Sequence, residues 1–205
     1  MTKTIWDFYA PVYERAMRAD HKIYEFMYEQ IRKAVANKDV LELATGPGMI
    51  AKNVADVTHS MIATDYSAGM IKQALKGDYP YQLSFEIAEA THLPYDDHQF
   101  DVVIIANALH IIPNSEIVLM EIERVLKPGG LLIAPNFVEH ETRLISRLWS
   151  KVLKIAGISF AHEWTSEDYL AFLKDHQWEP MNIHEMGARI TLLYTECQKH
   201  RAVSV

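Results

Sequence analysis

Cysteine is almost missing from this 205-residue chain, with Cys197 the only one. No internal disulfide can form, and such a composition suits a reducing compartment. Long apolar runs are missing too. No stretch approaches the roughly 20 apolar residues that span a bilayer. The N-terminus, MTKTIWDFYAPVYERAM, has neither an apolar h-region nor a small-residue cleavage site. The expected location is therefore cytoplasmic. Basic charge is in deficit, with 20 Lys and Arg against 27 Asp and Glu and a net charge of −7. That argues against bulk attraction to nucleic acid, and no nucleic-acid partner is expected. Repeats, low-complexity segments and a G-x-S-x-G nucleophile turn are all absent. Ten histidines are present, but spacings such as His92/His98 and His176/His184 fit no ligand pair. Without a cysteine cluster beside them, no metal is expected.

The chain that remains is ordinary globular material, 49% apolar and 23% charged, long enough for one α/β domain. The first 35 or so residues read as helical, with Ile23, Phe26, Met27, Ile31 and Val35 at helix spacing. Short apolar runs then alternate with amphipathic segments. Strands are expected at Asp39–Leu43, Ser60–Thr64, Leu83–Ile87, Phe100–Ala106 and Leu131–Ala134. Helices are expected from Gly48 to about Val57, over Ala68–Lys76 with Ser67 as N-cap, and over Asn114–Leu126, stopped by Pro128-Gly129-Gly130. The run Val102–Ile105 predicts burial on both faces. Toward the end come helices at Glu141–Ile155 and at Ser166–Asp175 with Thr165 as a cap, then a hairpin of Met181–Met186 and Ile190–Thr195. Strand–helix alternation of this kind implies a mostly parallel sheet covered on both faces.

The main local signal is Val40-Leu-Glu-Leu-Ala-Thr-Gly-Pro-Gly48. A buried strand delivers a glycine turn to the C-terminal edge of the sheet, where missing Cβ atoms let a ligand lie against the backbone. Gly46-Pro-Gly-Met-Ile-Ala51 also satisfies the dinucleotide pattern G-x-G-x-x-G/A, with Asp65 about 20 residues on. Pro47, however, has no N–H to offer a pyrophosphate. Asp65 ends the second strand, where a carboxylate accepts from ribose hydroxyls or serves as a helix-start charge.

Three further segments carry a resemblance. Ile87-Ala-Glu-Ala-Thr-His-Leu-Pro-Tyr-Asp-Asp-His-Gln-Phe-Asp-Val-Val-Ile-Ile105, Ala106-Asn-Ala-Leu-His-Ile-Ile112 and Arg124-Val-Leu-Lys-Pro-Gly-Gly-Leu-Leu-Ile133 resemble the class I methyltransferases that use S-adenosyl-L-methionine (SAM). The similarity is to the small-molecule branch with the ubiquinone and menaquinone biosynthesis methyltransferases, and it spans roughly residues 40–133. It implies that Glu42, Ala44, Gly46 and Gly48 surround the methionyl part and ribose of SAM. Asp65 would hold the ribose hydroxyls and Tyr66 would pack on the adenine. Glu89 and Ala90 would meet the adenine edge, and Asn107 would lie near the sulfonium and the acceptor. Two positions depart from the family pattern. Ala44 stands at the first glycine, which suits a negative φ there, and Glu89 is one methylene longer than the usual aspartate.

His110, three residues beyond Asn107, is a candidate for orienting or deprotonating the acceptor, or else forms a pocket wall. Tyr9 and Tyr13 resemble the family's N-terminal lid tyrosines, and equally fit aromatic core contacts. Arg143, Arg147, Lys151 and Lys154 make a basic stripe, read as a solvated face with membrane or lipid docking as the alternative. The expected fold is a doubly wound, mostly parallel seven-stranded sheet with a C-terminal antiparallel hairpin, Rossmann-like. It forms a single domain over 1–205, with a helical lid at 1–36 and a substrate-lid insertion at 137–164. The expected activity is methyl transfer from SAM to a small, apolar or aromatic acceptor. The aromatic and Met content of the two lids (Trp6, Phe8, Tyr9, Met17, Phe137, Trp149, Phe160, Trp164) motivates that acceptor class. An NAD(P)-dependent oxidoreductase and a non-catalytic SAM-binding protein remain as alternatives.

Overall fold

A computed structural model describes residues 5–8, 10–11, 21–138, 161–187 and 191–200. Within it the central strands are buried on both faces because their neighbouring side chains alternate between two apolar layers. Helix α1 (His21–Val35) leads into β1 (Asp39–Leu43), then α2 (Met49–Val54) and a 3₁₀ turn (Ala55–Val57). Strand β2 (Ser60–Asp65), α3 (Ala68–Ala74) and β3 (Leu83–Ile87) follow. After them come β4 (Phe100–Ile105), α4 (Ser115–Val125), β5 (Leu126–Ile133) and β6 (Asn136–Val138). Helix α5 (Ser166–Asp175), β7 (Trp178–Met186) and β8 (Thr191–Lys199) complete the order.

The sheet runs β3-β2-β1-β4-β5-β8-β6, with β7 paired to β8 on its other side. Strands β3, β2, β1, β4 and β5 are parallel, and β7 and β8 are antiparallel. Leu41, Leu43, Val103 and Ile105 face one layer, with Val118, Leu119 and Ile122 of α4 and Tyr169 and Leu173 of α5. Val40, Val102 and Ile104 face the other, with Met27 and Ile31 of α1 and Ala51 of α2. The parallel order reverses at β1/β4, so the crevice outside their C-terminal ends is where such a sheet takes a ligand.

Most expected elements lie within a residue or two of their observed bounds. The Ser67 side chain caps α3 by accepting from the Met70 amide. Thr165 forms a full capping box with Asp168 at α5. Two expectations change. Helix α4 ends at Val125, and the Lys127-Pro-Gly-Gly130 segment belongs to β5, which starts at Leu126. An eighth strand, β6, occupies the start of the expected lid insertion. It keeps the register of β5 along β8: Ile133 faces Glu196, and Asn136 faces Leu193. Strands β5 and β6 are thus one line interrupted at Pro135, which has no N–H for the ladder. The Tyr169 and Thr195 hydroxyls donate to the Ala134 carbonyl there, at 2.8 and 2.7 Å. Among the described residues no helix is long and apolar enough to cross a membrane.

Candidate active site

The C-terminal ends of β3, β2, β1 and β4 bring most of the expected residues to one edge. Register sets the order. Asp65 pairs with Ile87, Glu42 pairs with Ala63 on one side and Ile104 on the other, and Leu43 pairs with Ile105. Glu89-Ala90, Asp65-Tyr66, Ala44–Gly48 and Asn107 therefore follow one another along the crevice. Tyr66 is 57% exposed, an unpacked ring beside the site.

The turn after β1 is left-handed at three positions, with φ of 51° at Ala44, 58° at Gly46 and 79° at Gly48. The negative φ expected for Ala44 is thereby corrected. The turn keeps its course with an alanine in it, at a cost of roughly 1–2 kcal/mol for a left-handed L-residue. Gly48 is irreplaceable for a second reason, since a Cβ there would come within 2.8 Å of the Phe85 ring. The turn's N–H groups are already engaged. Gly46 donates to Asp65 Oδ2 at 2.8 Å, Gly48 donates to the Thr45 carbonyl at 3.1 Å, and Pro47 has none. No amide of residues 46–48 is left for a pyrophosphate.

What the crevice offers instead is acceptors. Glu42 Oε2, Thr45 Oγ1 and Asn107 Oδ1 are buried without a hydrogen-bond partner. Thr45 and the Ala51 amide lie near Glu42 and favour its ionised form, yet neither makes a well-formed hydrogen bond to Oε2. Burial dominates and pushes the Glu42 carboxyl up to about 8. Buried acceptors left unsatisfied are costly, and a ligand that carries donors or positive charge removes the cost. The ammonium and sulfonium of SAM are of that kind. Burial also raises the Asp65 carboxyl, against the amides of Ser67 and Gly46 that hold its two oxygens at 2.8 Å each. Asp65 thus ties the glycine turn to the start of α3, while its remaining lone pairs can accept from ribose hydroxyls. Glu89 is exposed and accepts from the Thr91 hydroxyl at 2.8 Å.

Residues 5–8 form a helical turn packed on this edge. Asp7 Oδ1 accepts from the Ser67 hydroxyl at 2.7 Å and from the Gly69 amide at 2.6 Å. A Cβ at Gly69 would fall 2.7 Å from the Asp7 Cα, so a glycine is what admits the segment. Tyr9 and Tyr13 lie outside the described residues, as do Arg143, Arg147, Lys151 and Lys154.

His110 is 95% buried, three residues past Asn107, whose own left-handed φ of 53° turns the chain at the end of β4. Its Nδ1 lies 2.8 Å from Asn136 Oδ1. Burial pulls the imidazole down to about 4, and the neighbouring His162 lowers it further, against the bond to Asn136. Both ends of the 137–164 segment meet here. The Phe137 ring is 6.3 Å from that of His110, and the amides of Ala161 and His162 donate to the His110 carbonyl at 2.9 and 3.0 Å. Asp7, Thr45, Asn136 and His162 stand at the site without a local pattern in the sequence that marks them. A polar side chain just after Pro135 was the one available signal for Asn136.

Residues 41–134 match the family model described as a methyltransferase domain. The demethylmenaquinone methyltransferase of Lactiplantibacillus plantarum is 33% identical over 147 residues, 66% of this chain and 62% of that protein. The ubiquinone/menaquinone biosynthesis C-methyltransferase UbiE of Geobacter sulfurreducens is 30% identical over 157 residues, 69% of this chain and 61% of that protein. The chain thus spans about three-fifths of the length of these two relatives. The chain solved in complex with the Haloferax volcanii Trm112 methyltransferase activator superposes with a TM-score of 0.81, at 19% identity, over 98% of this chain and 100% of that one. That likeness concerns the fold.

Proposed function

We propose that this chain, which belongs to the class I SAM-dependent methyltransferases, transfers the methyl group of SAM to a small acceptor with an electron-rich, hydroxylated aromatic ring of the quinol type. The relatives named for quinone methylation support the acceptor class. The observation that carries the reading is the set of unpartnered buried acceptors, Glu42, Thr45 and Asn107, at the switch point of the sheet. They suit a ligand that brings donors or positive charge, and a dinucleotide is disfavoured because the amides of Gly46 and Gly48 are already engaged and Pro47 has none.

When bound, SAM supplies an electrophilic methyl group on a sulfonium, and its leaving group is neutral. The protein's part is therefore alignment and charge management. Glu42 would pair with the ammonium of the methionyl group and Asp65 with the ribose hydroxyls. Tyr66 would stack on the adenine, and Glu89 and Ala90 would meet its edge. Asn107 Oδ1 would face the sulfonium side, and Tyr9 and Tyr13 would belong to the lid above. His110, buried and uncharged at neutral pH, lies where Phe137 and the Ala161–His162 amides, from the two ends of the 137–164 segment, come together. In this reading an acceptor O–H would donate to its ring. SAM would supply the methyl group to a carbon of the acceptor ring, and His110 would take the ring proton that the methylated carbon gives up. A weakly basic imidazole suffices, because that proton comes from a cationic, strongly acidic adduct.

A panel of benzoquinols, naphthoquinols, phenols, amines and thiols, scored for S-adenosylhomocysteine production, tests this. Turnover should concentrate on reduced quinols and vanish with their oxidised forms. Turnover confined to amines or thiols would reject the acceptor class. SAM binding by calorimetry without turnover on any compound would favour a silent SAM-binding protein. Binding of NAD in place of SAM would reject the whole reading.

A further inference from the structure

We propose that Asn136 is a positioning residue that holds His110 in its Nδ1–H tautomer, which puts the lone pair of the uncharged ring on Nε2. The inference rests on the reading of His110 given above, but its structural part can be tested separately.

The argument begins with the amide. Asn136 is 1% exposed, on a strand whose register against β8 fixes its backbone, with Leu193 opposite. Its Nδ2 donates to the Phe137 carbonyl at 3.2 Å. A flipped amide would set Oδ1 against that carbonyl, two acceptors face to face, and would lose the bond. The amide oxygen is therefore the atom that faces His110. Across 2.8 Å from it stands His110 Nδ1. A carbonyl oxygen only accepts, so Nδ1 must carry the proton. In an uncharged ring the lone pair then belongs to Nε2.

The surroundings keep the ring uncharged. His110 has almost no solvent contact. Beside it stands His162, which lowers the imidazole further, and whose ring stacks on Trp164 with centroids 4.5 Å apart and whose Nε2 lies 3.2 Å from Ser115 Oγ. A neutral amide orients the imidazole and favours the imidazolium only weakly against burial, far less than an aspartate at the same place would. Burial, beside a partner without charge, leaves the ring uncharged at neutral pH.

The line from β5 to β6 explains why the pair is rigid. Ala134 is pinned by the two hydroxyls of Tyr169 and Thr195, Pro135 restricts the chain, and the Pro135 carbonyl accepts from the Asn107 amide at 2.8 Å. The same short segment thus positions Asn107 on the cofactor side and His110 on the acceptor side.

Long-range ¹⁵N–¹H correlation of the full-length protein, with the His110 signals assigned through His110→Gln, reads the tautomer directly. Wild type should show a neutral ring protonated at Nδ1 at pH 7. Asn136→Asp should keep the proton on Nδ1 and raise the titration midpoint of His110 by more than one pH unit. Asn136→Ala should release the ring to the Nε2–H form and lower kcat ten- to a hundredfold with KM for SAM unchanged. A wild-type ring protonated at Nε2 would overturn the proposal without needing any variant. An unchanged ring in a folded Asn136→Ala would overturn it too. If the tautomer is as stated but His110→Gln turns over at the wild-type rate, the assignment of Asn136 stands and the role given to His110 fails.

Discussion

Strand β1 carries an acidic residue near each end, and the two meet opposite treatment. Asp39, at the N-terminal edge, accepts from His59 Nδ1 at 2.6 Å, from the Ser60 hydroxyl at 2.7 Å and from Lys127 Nζ at 3.2 Å. The bonds from His59 and Ser60, in that order, hold its carboxyl down at about 2 against the effect of burial. Glu42, at the C-terminal edge, has an oxygen with no partner, and burial holds its carboxyl up at about 8. Lys127 also reaches Asp101 at 3.0 Å, so the Lys-Pro-Gly-Gly segment ties β1, β4 and β5 together at the edge away from the site. One edge satisfies its charges internally and supports the fold. The other leaves its polar atoms open, which costs stability until a ligand arrives.

The sharpest way to break this contrast is Glu42→Gln. Loss of a charged partner should weaken SAM about ten- to a hundredfold. The same change should stabilise the ligand-free protein, and the sign follows from protons. The folded chain keeps the Glu42 proton up to about pH 8, whereas the unfolded chain loses it near the ordinary value of 4.5. Between those limits the folded state binds more protons, so its stability falls as pH rises. Ligand-free Glu42→Gln should therefore melt several degrees above wild type at pH 8 and close to it at pH 5. Equal melting at both values would show that Glu42 is not desolvated.

Next in size is the pH dependence of the wild-type cofactor site. If SAM drives off the Glu42 proton, affinity should tighten between pH 6 and 8 by up to about tenfold per unit, and Glu42→Gln should lack that slope. Calorimetry in buffers of different ionisation enthalpy counts the proton released, and a count of zero would remove Glu42 from the methionyl subsite.

Asp39→Asn probes the other edge. The pairs there are part-exposed, so the loss at pH 7 should be about 0.5–1 kcal/mol by urea unfolding. It should shrink as pH falls toward the depressed folded value of about 2, because the Asp39 contribution is present above the ordinary carboxylate range and lost below it. SAM affinity should not change. A Kd shift of more than threefold would mean that the two edges are coupled.

Ala44→Gly has the smallest expected effect. Relief of a left-handed alanine, at roughly 1–2 kcal/mol, is partly offset by the greater chain entropy of glycine, about 0.5–1 kcal/mol. A net gain of about 0.5–1 kcal/mol, read as a slightly higher Tm, is expected. A lower Tm would show that the Ala44 methyl group packs better than its backbone suffers.

The difference between the edges also marks where the sequence was legible. Val40–Gly48, Asp65 and the alternating apolar runs located the parallel strands, the glycine turn and the crevice. Local rules govern these features: strand period, turn residues, and caps such as Ser67 and Thr165. The continuity of β5 and β6 was not legible, because it is written in the register of β8, some 60 residues away. The left-handed φ of Ala44 was missed because alanine does not announce it.

By itself, then, the sequence determined the fold class, the family resemblance and the positions from Glu42 to Asn107 that gather at the C-terminal edge of the sheet, since each is encoded in contiguous residues and spacing. Only the tertiary structure decided which buried polar atoms lack partners, that Asp7 caps the start of α3, and that Asn136 faces His110. Those facts depend on distances between residues 26 to 62 positions apart. Packing sets such distances and the burial that moves a carboxyl up or an imidazole down, and no local pattern along the chain records either.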